Sequence, residues 1–273
     1  MLILKMSWKY LSDLELDLIQ KEHSKGVSGK KIGEILNRDA LVINRCIKRG
    51  VSPGKRNTIE IDFKPEFKEL LEEFIGAFAG DGNFYLKPNG GYRTSLFLNE
   101  KESAYANYLK NVVKNVFGFY PRIWHYKRGH MIYLVIQRKR VYQIIRLLLN
   151  WSIKNKTYTI GLVNDLQNYD SAFLKGFIRG LISTDGSVSY KGNKKLRVKV
   201  EFSSTSKRLI NQYVSALKLF GIPSNMYYKN NNSHSIWSVE FSRKTSVENF
   251  YNNIGLNESL RSAKLKTVVL YNK

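Results

Sequence analysis

The sequence predicts an α+β fold in which two pseudo-symmetric α-β-β-α-β-β-α units follow a small all-α domain. An apolar segment that ends in Asp-Gly occurs twice, as LLEEFIGAFAGDG and AFLKGFIRGLISTDG, and the two aspartates lie 104 residues apart. The same order of predicted strands and helices follows each copy. A repeat of this length indicates a duplicated domain, because repeat arrays have periods of roughly 20 to 50 residues. The predicted segments are 1–50, 51–64, 65–168 and 169–273.

The first predicted domain, residues 1–50, is helical. Apolar residues recur at helical spacing from residue 11 to 19, a turn at Gly26 precedes a short helix, and DALVINRCIKRG gives a third helix with one apolar and one basic face. This is the outline of a helix-turn-helix, whose last helix enters the major groove of DNA. We therefore expect DNA contacts from Arg45, Lys48 and Arg49. An ordinary three-helix cap with solvated charges is the alternative.

A basic linker is predicted at residues 51–64, VSPGKRNTIEIDFK, where a Pro-Gly pair precedes Lys55 and Arg56. A linker of this composition is suited to lie along DNA, for instance in the minor groove.

The two larger units share one predicted plan. Each motif helix is followed by two strands joined by a Gly/Asn turn, an amphipathic helix that ends at a glycine, a hairpin that begins at a proline, and a closing helix. In the first unit the two strands and two helices are predicted at 83–86, 92–98, 102–118 and 141–149. In the second unit the matching ranges are 187–190, 196–203, 206–221 and 247–254.

The predicted strands have one apolar face and one basic, polar face. LRVKVEFS alternates apolar and polar residues, and this period of two places one face on a core and leaves the other open. Acidic residues are scarce on the open faces, so we expect these faces to contact DNA phosphates. The residues predicted to do so are Arg93, Arg122, Lys127, Arg138, Arg197, Lys199, Lys229 and Arg243.

Charge and composition narrow the class of protein. Lys and Arg number 45 against 22 acidic residues, which gives a net charge of +23 and attracts polyanions such as nucleic acid. A ribosomal or merely basic protein is the alternative. No apolar run approaches the roughly 18 residues of a membrane span, no signal peptide is visible, and Cys46 is the single cysteine. We expect an intracellular protein, cytoplasmic or organellar, that is not secreted and has no membrane partner.

Small residues lie at four-residue spacing in both motif helices, Gly76 with Gly80 and Gly180 with Thr184. Small residues let helix backbones approach closely. We therefore expect the motif helices to pack against each other, with Gly76 and Gly180 at their seam.

Packing of these helices would bring Asp81 and Asp185 together at their C-terminal ends. Two carboxylates there repel each other and oppose the helix dipole, unless cations are present. Oxygen ligands in a site open to phosphate suit Mg²⁺, and paired ions across a scissile phosphate can activate water and stabilise the leaving oxygen. The sequence predicts hydrolysis of DNA phosphodiesters with two or three Mg²⁺ ions bound at Asp81, Asp185, Gly80 and Thr184.

The two Asp-Gly segments resemble the motif of the LAGLIDADG homing endonucleases, specifically the monomeric kind with two motifs. Glycines at 76 and 180 match the first motif glycine, Asp81 and Asp185 its last acid, and glycines at 82 and 186 its final glycine. The earlier motif acid is replaced by Ala79 and Ser183, at a position that is structural in the family. The resemblance covers about residues 65–273 and is specific because both copies precede the same elements.

This resemblance implies a pseudo-twofold endonuclease that acts as a monomer. Its motif helices form the seam, and two four-stranded antiparallel sheets form a saddle over a long, specific site on double-stranded DNA. The last aspartate of each motif binds the metal ions. Members of the family cut both strands across the minor groove and leave short 3′ overhangs.

Polar and basic residues beside the metals organise water in the family, and several residues are candidates for this pocket. Gln137, Arg138 and Lys139 follow the fourth strand of the first unit; Ser242, Arg243 and Lys244 occupy the matching place in the second. Glu102 and Thr205 begin the helices after the second strands. With the two aspartates, we predict catalytic roles for Gln137, Lys139 and Lys244; phosphate positioning or plain solvation of the two lysines is the alternative.

Non-cutting functions of the same fold form the second hypothesis. The chain would then be an RNA maturase that binds its host intron, or a DNA-binding regulator. Retention of Asp81 and Asp185 favours cutting, because a pure binder has no reason to keep two repelling carboxylates together. A combined endonuclease and maturase stays open.

Overall fold

The computed structural model describes residues 13–36, 38–49, 65–86, 91–126, 129–151, 156–191, 197–231 and 234–271. The chain divides into two compact units, Met1–Asp62 and Phe63–Lys273. The predicted basic linker, with Lys55 and Arg56, lies outside the described residues. None of the described helices is both long and apolar enough to cross a membrane.

The smaller unit contains three helices: α1 (Asp13–Ser24), α2 (Gly29–Ile35) and α3 (Ala40–Arg49). Each contributes one fully buried isoleucine, Ile19, Ile32 and Ile43, to a small core, and Cys46 packs against it. On α3, Arg45 and Lys48 are exposed. The side chain of Arg49 is outside the described part. DNA binding by this unit remains a prediction.

The larger unit confirms the α+β fold of two similar halves. Its first half contains α4 (Pro65–Asp81), β1 (Gly82–Leu86), β2 (Tyr92–Asn99), α5 (Ser103–Phe117), β3 (Arg122–Tyr126), β4 (Met131–Ile136), α6 (Lys139–Leu148) and α7 (Lys156–Thr159). Its second half contains α8 (Ser171–Thr184), β5 (Gly186–Lys191), β6 (Arg197–Ser204), α9 (Lys207–Leu219), β7 (Asn225–Asn231), β8 (His234–Phe241), α10 (Lys244–Asn253) and α11 (Ser259–Tyr271). The sequence analysis assigned no element to α7 or α11.

Two four-stranded antiparallel sheets share one topology, with strand orders β1-β2-β4-β3 and β5-β6-β8-β7. Their registers also match: Gly82 and Gly186 begin β1 and β5 and pair with Leu96 and Phe202. Alternate residues such as Leu96 and Phe202 are fully buried on the helix side, as the period of two predicts. Because the registers agree, each outward-facing residue of one sheet has an equivalent on the other.

Helices α4 and α8 form the seam between the halves, and glycines set their separation. A β-carbon at Gly76 would overlap the backbone carbonyl of Phe177, and one at Gly180 would overlap backbone atoms of Glu73 and Ala77. The two backbones are therefore closer than any side chain at these positions would permit.

Further residues close the seam. Gly176, which the sequence analysis did not single out, lies against Glu72, whose Cβ would be 2.7 Å from an added β-carbon. At the other end, an added β-carbon at Gly80 would meet the hydroxyl of Thr184. That hydroxyl donates to the Gly180 carbonyl of its own helix at 3.0 Å.

A buried polar cluster ties the halves together beside the seam. The fully buried carboxylate of Glu73 accepts hydrogen bonds from Tyr105 (3.2 Å), Tyr108 (2.9 Å) and Asn257 (2.7 Å). Arg179 lies 3.5 Å away and also contacts the carbonyl of residue 254. Burial raises the pKa of Glu73, and these partners oppose the rise. A buried carboxylate with donors from both halves favours a single alignment of α4 and α8.

Replacing Gly180 with alanine tests how closely the helices approach. On an isolated helix this change stabilises by about 1 kcal/mol. At the seam the new methyl group overlaps backbone atoms, so we expect the free energy of unfolding to fall by about 1–3 kcal/mol. Urea denaturation measures the change, with Asn115→Ala on the exposed side of α5 as a control for helix propensity. A Gly180→Ala protein at least as stable as wild type would contradict close packing.

Candidate active site

The two motif helices end at a pair of carboxyls. Asp81 is the last residue of α4, and Asp185 is the C-cap residue of α8. Their side chains lie within hydrogen-bonding reach of each other. The close approach at the seam therefore places two acids where the partial negative charges of two helix ends also converge.

Both carboxyls resist ionisation. Burial raises the pKa of Asp81 to about 7, and the charges of Asp185 and Glu102 add to the rise. Burial likewise raises the pKa of Asp185, against the opposing charge of Lys156. Although Asp185 reaches solvent, protein atoms surround its carboxyl closely enough to disfavour its charge. Because each negative charge disfavours the other, one proton shared between the two carboxyls would relieve most of the repulsion.

Lys156, the first residue of α7, lies at the end of the first motif helix. Its ammonium donates to the carbonyls of Gly80 at 2.5 Å and Gly82 at 2.7 Å. Burial lowers the pKa of Lys156 to about 8, while the charges of Asp185 and Asp81 act in the opposite direction. The side chain is thus a cation beside the carboxyl pair, and it loses its proton near pH 8.

Arg261 of α11 does the same at the end of the second motif helix. Its guanidinium donates to the carbonyls of Ser183 (2.9 Å), Thr184 (3.1 Å) and Gly186 (3.0 Å). It also forms an ion pair with Glu102 at 3.0 Å. Cations at helix C-termini offset the negative end of the helix dipole.

Lys156 and Arg261 are equivalent under the pseudo-symmetry of the fold. The carbonyls of Gly80 and Gly82 match those of Thr184 and Gly186, and each pair is bound by one cation. Neither cation was predicted from the sequence, because each predicted unit ended at its closing helix. A usable signal was present: a basic residue lies 75 residues after Asp81 and 76 residues after Asp185.

A recess opens beside Asp185. It is lined by residues from both halves, among them Gly80, Lys156, Ser203 and Thr205. The Thr205 hydroxyl donates to the carbonyl of residue 157, which fixes α7 against the second sheet. Of the pocket candidates from the sequence, Thr205 lines this recess and Glu102 contacts Arg261.

The other predicted pocket residues lie elsewhere. Gln137 and Lys139 are exposed where β4 gives way to α6, and Lys244 is exposed at the start of α10, 3.9 Å from Glu248. None of the three lines the recess. The structure does not bring them to the aspartates, where Lys156 and Arg261 lie instead, and their catalytic role remains a prediction.

The predicted DNA-contacting cations occupy the outward faces of the sheets or the starts of helices. Arg93 and Arg122 lie on the outward face of the first sheet, and Arg197 is exposed on that of the second. Arg138 and Arg243 are exposed N-cap residues of α6 and α10. Lys127 is outside the described residues.

The expectation that acids are scarce on the open faces is wrong for the second sheet. Glu201 binds Lys199 at 2.6 Å and Lys229 at 3.4 Å, and Glu240 lies 3.6 Å from Lys199. Although burial favours protonation of Glu201, hydrogen bonds from Lys199 and Tyr227 lower its pKa to about 2. Two of the predicted cations are therefore neutralised by acids of the same face. The period of two puts Lys199 and Glu201 on one face of β6, and Glu240 of β8 and Lys229 of β7 lie on that face too.

The donor set at the seam can hold a divalent cation only with help from outside the protein. No group of three or more His, Cys, Asp or Glu side chains suited to a metal occurs in the described part of the chain. Two carboxyls remain, together with carbonyls that already accept hydrogen bonds. Mg²⁺ commonly binds through one or two carboxylates, several waters and substrate phosphates.

Two family models match the larger unit. Residues 172–255 match a LAGLIDADG-like domain, and residues 72–160 match the WhiA LAGLIDADG-like domain. Each match contains one aspartate of the pair and one sheet. No curated protein sequence matches the chain.

Solved structures share the fold. A mesophilic variant of the homing endonuclease I-DmoI has a TM-score of 0.53 and 15% identity over 74% of this chain and 98% of that chain. I-DmoI in complex with DNA and Ca gives 0.54 and 13%, with the same coverage. Full-length DUF199/WhiA from Thermatoga maritima gives 0.52 and 15%, over 77% of this chain and 62% of that chain.

Raised carboxyl pKa values predict stability that falls as pH rises. A carboxyl with a higher pKa in the folded than in the unfolded protein binds its proton more tightly when folded, so stability is lost between the two values. For Asp81 this window runs from the unfolded value of about 4 to about 7. In EDTA we expect the Tm to fall from pH 5 to pH 7, and to fall less in Asp81→Asn.

Glu72 provides the control, because burial raises its pKa to about 8 at the far end of the same helix pair. Glu72→Gln should also reduce the pH dependence. Added Mg²⁺ should raise the Tm at pH 7 in Glu72→Gln but not in Asp81→Asn. Equal pH dependence in wild type and Asp81→Asn would contradict the raised pKa of Asp81.

Proposed function

Since the chain belongs to the LAGLIDADG family, we propose that it is a site-specific endonuclease that hydrolyses both strands of double-stranded DNA. The observation that carries this proposal is the carboxyl pair of Asp81 and Asp185 at the ends of the seam helices, with Lys156 and Arg261 beside them. We further propose that the chain acts as a monomer, because its two halves supply both carboxyls.

A divalent cation, for which we propose Mg²⁺, fits this pair. Asp81 and Asp185 would hold two or three ions with water and DNA phosphate, and replacing their shared proton would let both carboxyls ionise. The ions would supply an activated water and neutralise charge on the phosphate. Gly80 and Thr184 would add carbonyl oxygens only through lone pairs left free by Lys156 and Arg261.

The protein's own residues position this chemistry. Lys156 and Arg261 hold the last carbonyls of both motif helices and so fix the backbone that carries the aspartates. The Lys156 ammonium uses two donors on Gly80 and Gly82, and its third can reach a phosphate oxygen in the recess. Serine and threonine hydroxyls from the second sheet line the same recess. These groups would orient the phosphate and keep its charge balanced.

The sheets would supply DNA contacts on either side of the site. Arg93 and Arg197 face outward from the strands that pair with the motif glycines, and Arg122 faces outward from the edge strand β3. The net charge of +23 favours association with a polyanion. I-DmoI, which shares the fold, has been solved in complex with DNA. We propose that cleavage leaves short 3′ overhangs.

A DNA-binding regulator that does not cut is the second candidate. The match of residues 72–160 to the WhiA LAGLIDADG-like domain favours it. Two features oppose it: a regulator gains nothing from the repulsion between Asp81 and Asp185, or from a half-buried Lys156 beside them.

A cleavage assay in Mg²⁺ tests the two candidates. Its substrate is DNA of the host gene without the intron that interrupts it. We expect wild type to cut both strands, and Asp81→Asn and Asp185→Asn each to lose cutting by at least about 100-fold, since metal-bound groups supply several kcal/mol. Binding of the same DNA in EDTA should persist in both variants. Sequence-specific binding without cutting by wild type would support the regulator.

Lys156 and Lys244 form a matched pair for the basic residues. Lys156→Gln should slow cleavage by about tenfold or more, because it removes a positioned cation from the recess. Lys244→Gln should stay within about threefold of wild type, because exposed charges contribute little. Single-turnover rates at saturating protein measure both effects. The reverse order would contradict the role of Lys156 and support the catalytic role predicted for Lys244 from the sequence.

A further inference from the structure

The outward faces of the two sheets have diverged, although their registers are the same. The first sheet carries an aromatic face, which we define as Tyr85, Phe97, Trp124, Tyr126 and Tyr133. The equivalent residues of the second sheet are Ser189, Ser203, Tyr227, Lys229 and Ser238. A polar surface on one half therefore corresponds to a surface of rings on the other.

Three of the five rings are largely open to solvent, and three of them are in contact. Trp124 is 44% exposed, Tyr126 49% and Tyr85 53%. The ring centroids of Phe97 and Tyr133 are 4.9 Å apart, and Tyr126 stacks beside Tyr133 at 6.1 Å. Contiguous exposed apolar surface of this kind marks an interaction site.

The charged strand residues described on this face are all positive. The guanidinium of Arg93 lies 5.2 Å from the centre of the Trp124 ring, and Arg122 is exposed on the same face. The described strand residues of this face include no carboxylate. At the positions equivalent to Glu201 and Glu240 of the second sheet, the first has Ser95 and Val135. Rings with cations and without acids suit an anionic partner that has flat apolar groups.

The rings of this face match paired DNA poorly, whereas its arginines suit the phosphates of a duplex or of a single strand. Bases in a duplex are stacked on both sides and present only their edges, which are read by hydrogen bonds and by contact with thymine methyl groups. Phe97 has no hydrogen-bonding group, and Trp124 has one. Unpaired bases expose their flat faces and stack on aromatic side chains, commonly on those of a four-stranded antiparallel sheet.

We propose that the aromatic face binds unpaired nucleotides of a single-stranded nucleic acid, with bases stacked on its rings and phosphates at Arg93 and Arg122. This activity is additional to DNA cleavage and needs neither Asp81 nor Asp185. Arg93 and Arg122 are shared with the proposed duplex contacts, whereas the rings are not. Loss of cleavage in the aspartate variants therefore leaves single-strand binding intact, and a failure of bases to stack on the rings leaves the proposed endonuclease untouched.

Fluorescence anisotropy of the full chain in EDTA tests the proposal with labelled U12 RNA, dT12 DNA and a mixed-sequence duplex. We expect wild type to bind the single strands. The double variant Trp124→Ala, Tyr126→Ala should lose at least about tenfold in single-strand affinity and less in duplex affinity, because each ring stacks on one base. Preference for U12 or dT12 identifies the strand as RNA or DNA.

Two controls separate stacking from altered folding. Trp124→Phe, Tyr126→Phe keeps both rings and should bind within about threefold of wild type. Tyr228→Ala removes a ring that is 47% exposed on the helix side of the second sheet, and should not change binding. Single-strand affinity that survives in the double alanine variant, or an equal loss for duplex, would overturn the proposal.

Discussion

The contact between the backbones of α4 and α8 is the constraint on which the larger unit depends. Glycines at 76 and 180 leave no side chain between the helices, so both helix ends converge on one point. That convergence brings Asp81 and Asp185 together and places each sheet on its own side of the seam. If α4 and α8 were farther apart by the width of one methyl group, both sheets would still form. The carboxyls of Asp81 and Asp185 would then no longer lie together.

The close approach of α4 and α8 creates electrostatic repulsion, which other residues of the site reduce. Two carboxyls and two negative helix ends meet there, and burial raises the pKa of both acids. Lys156 and Arg261 bind the terminal carbonyls and offset part of this charge. A shared proton or divalent cations would offset the remaining negative charge. This repulsion lowers the free energy of unfolding. Such clusters of ionisable groups with shifted pKa values are common at functional sites.

The sequence was sufficient for the fold because both periodicities are strong in this chain. Strands with period two, helices that end at glycine and a repeated Asp-Gly predicted nearly every element of both halves. The candidate site was harder to predict. The aspartates stand inside a recognisable motif, whereas Lys156 lies in a single helical turn that has no apolar pattern. Arg261 belongs to a helix rich in β-branched residues near its end. Ion pairs such as Lys199 with Glu201 depend on side-chain geometry that sequence spacing does not specify.

The tightest contacts of the seam join glycines to backbone atoms, and these contacts do not depend on the identity of neighbouring side chains. A half from another protein with the same small-residue spacing would keep these contacts, but it would also have to supply the partners of Glu73. The sheets, free of that restriction, can diverge independently, as the aromatic and polar faces have done. Gene fusion followed by independent sequence change in each half would produce this pattern. Recombining halves by design would make use of the backbone contacts.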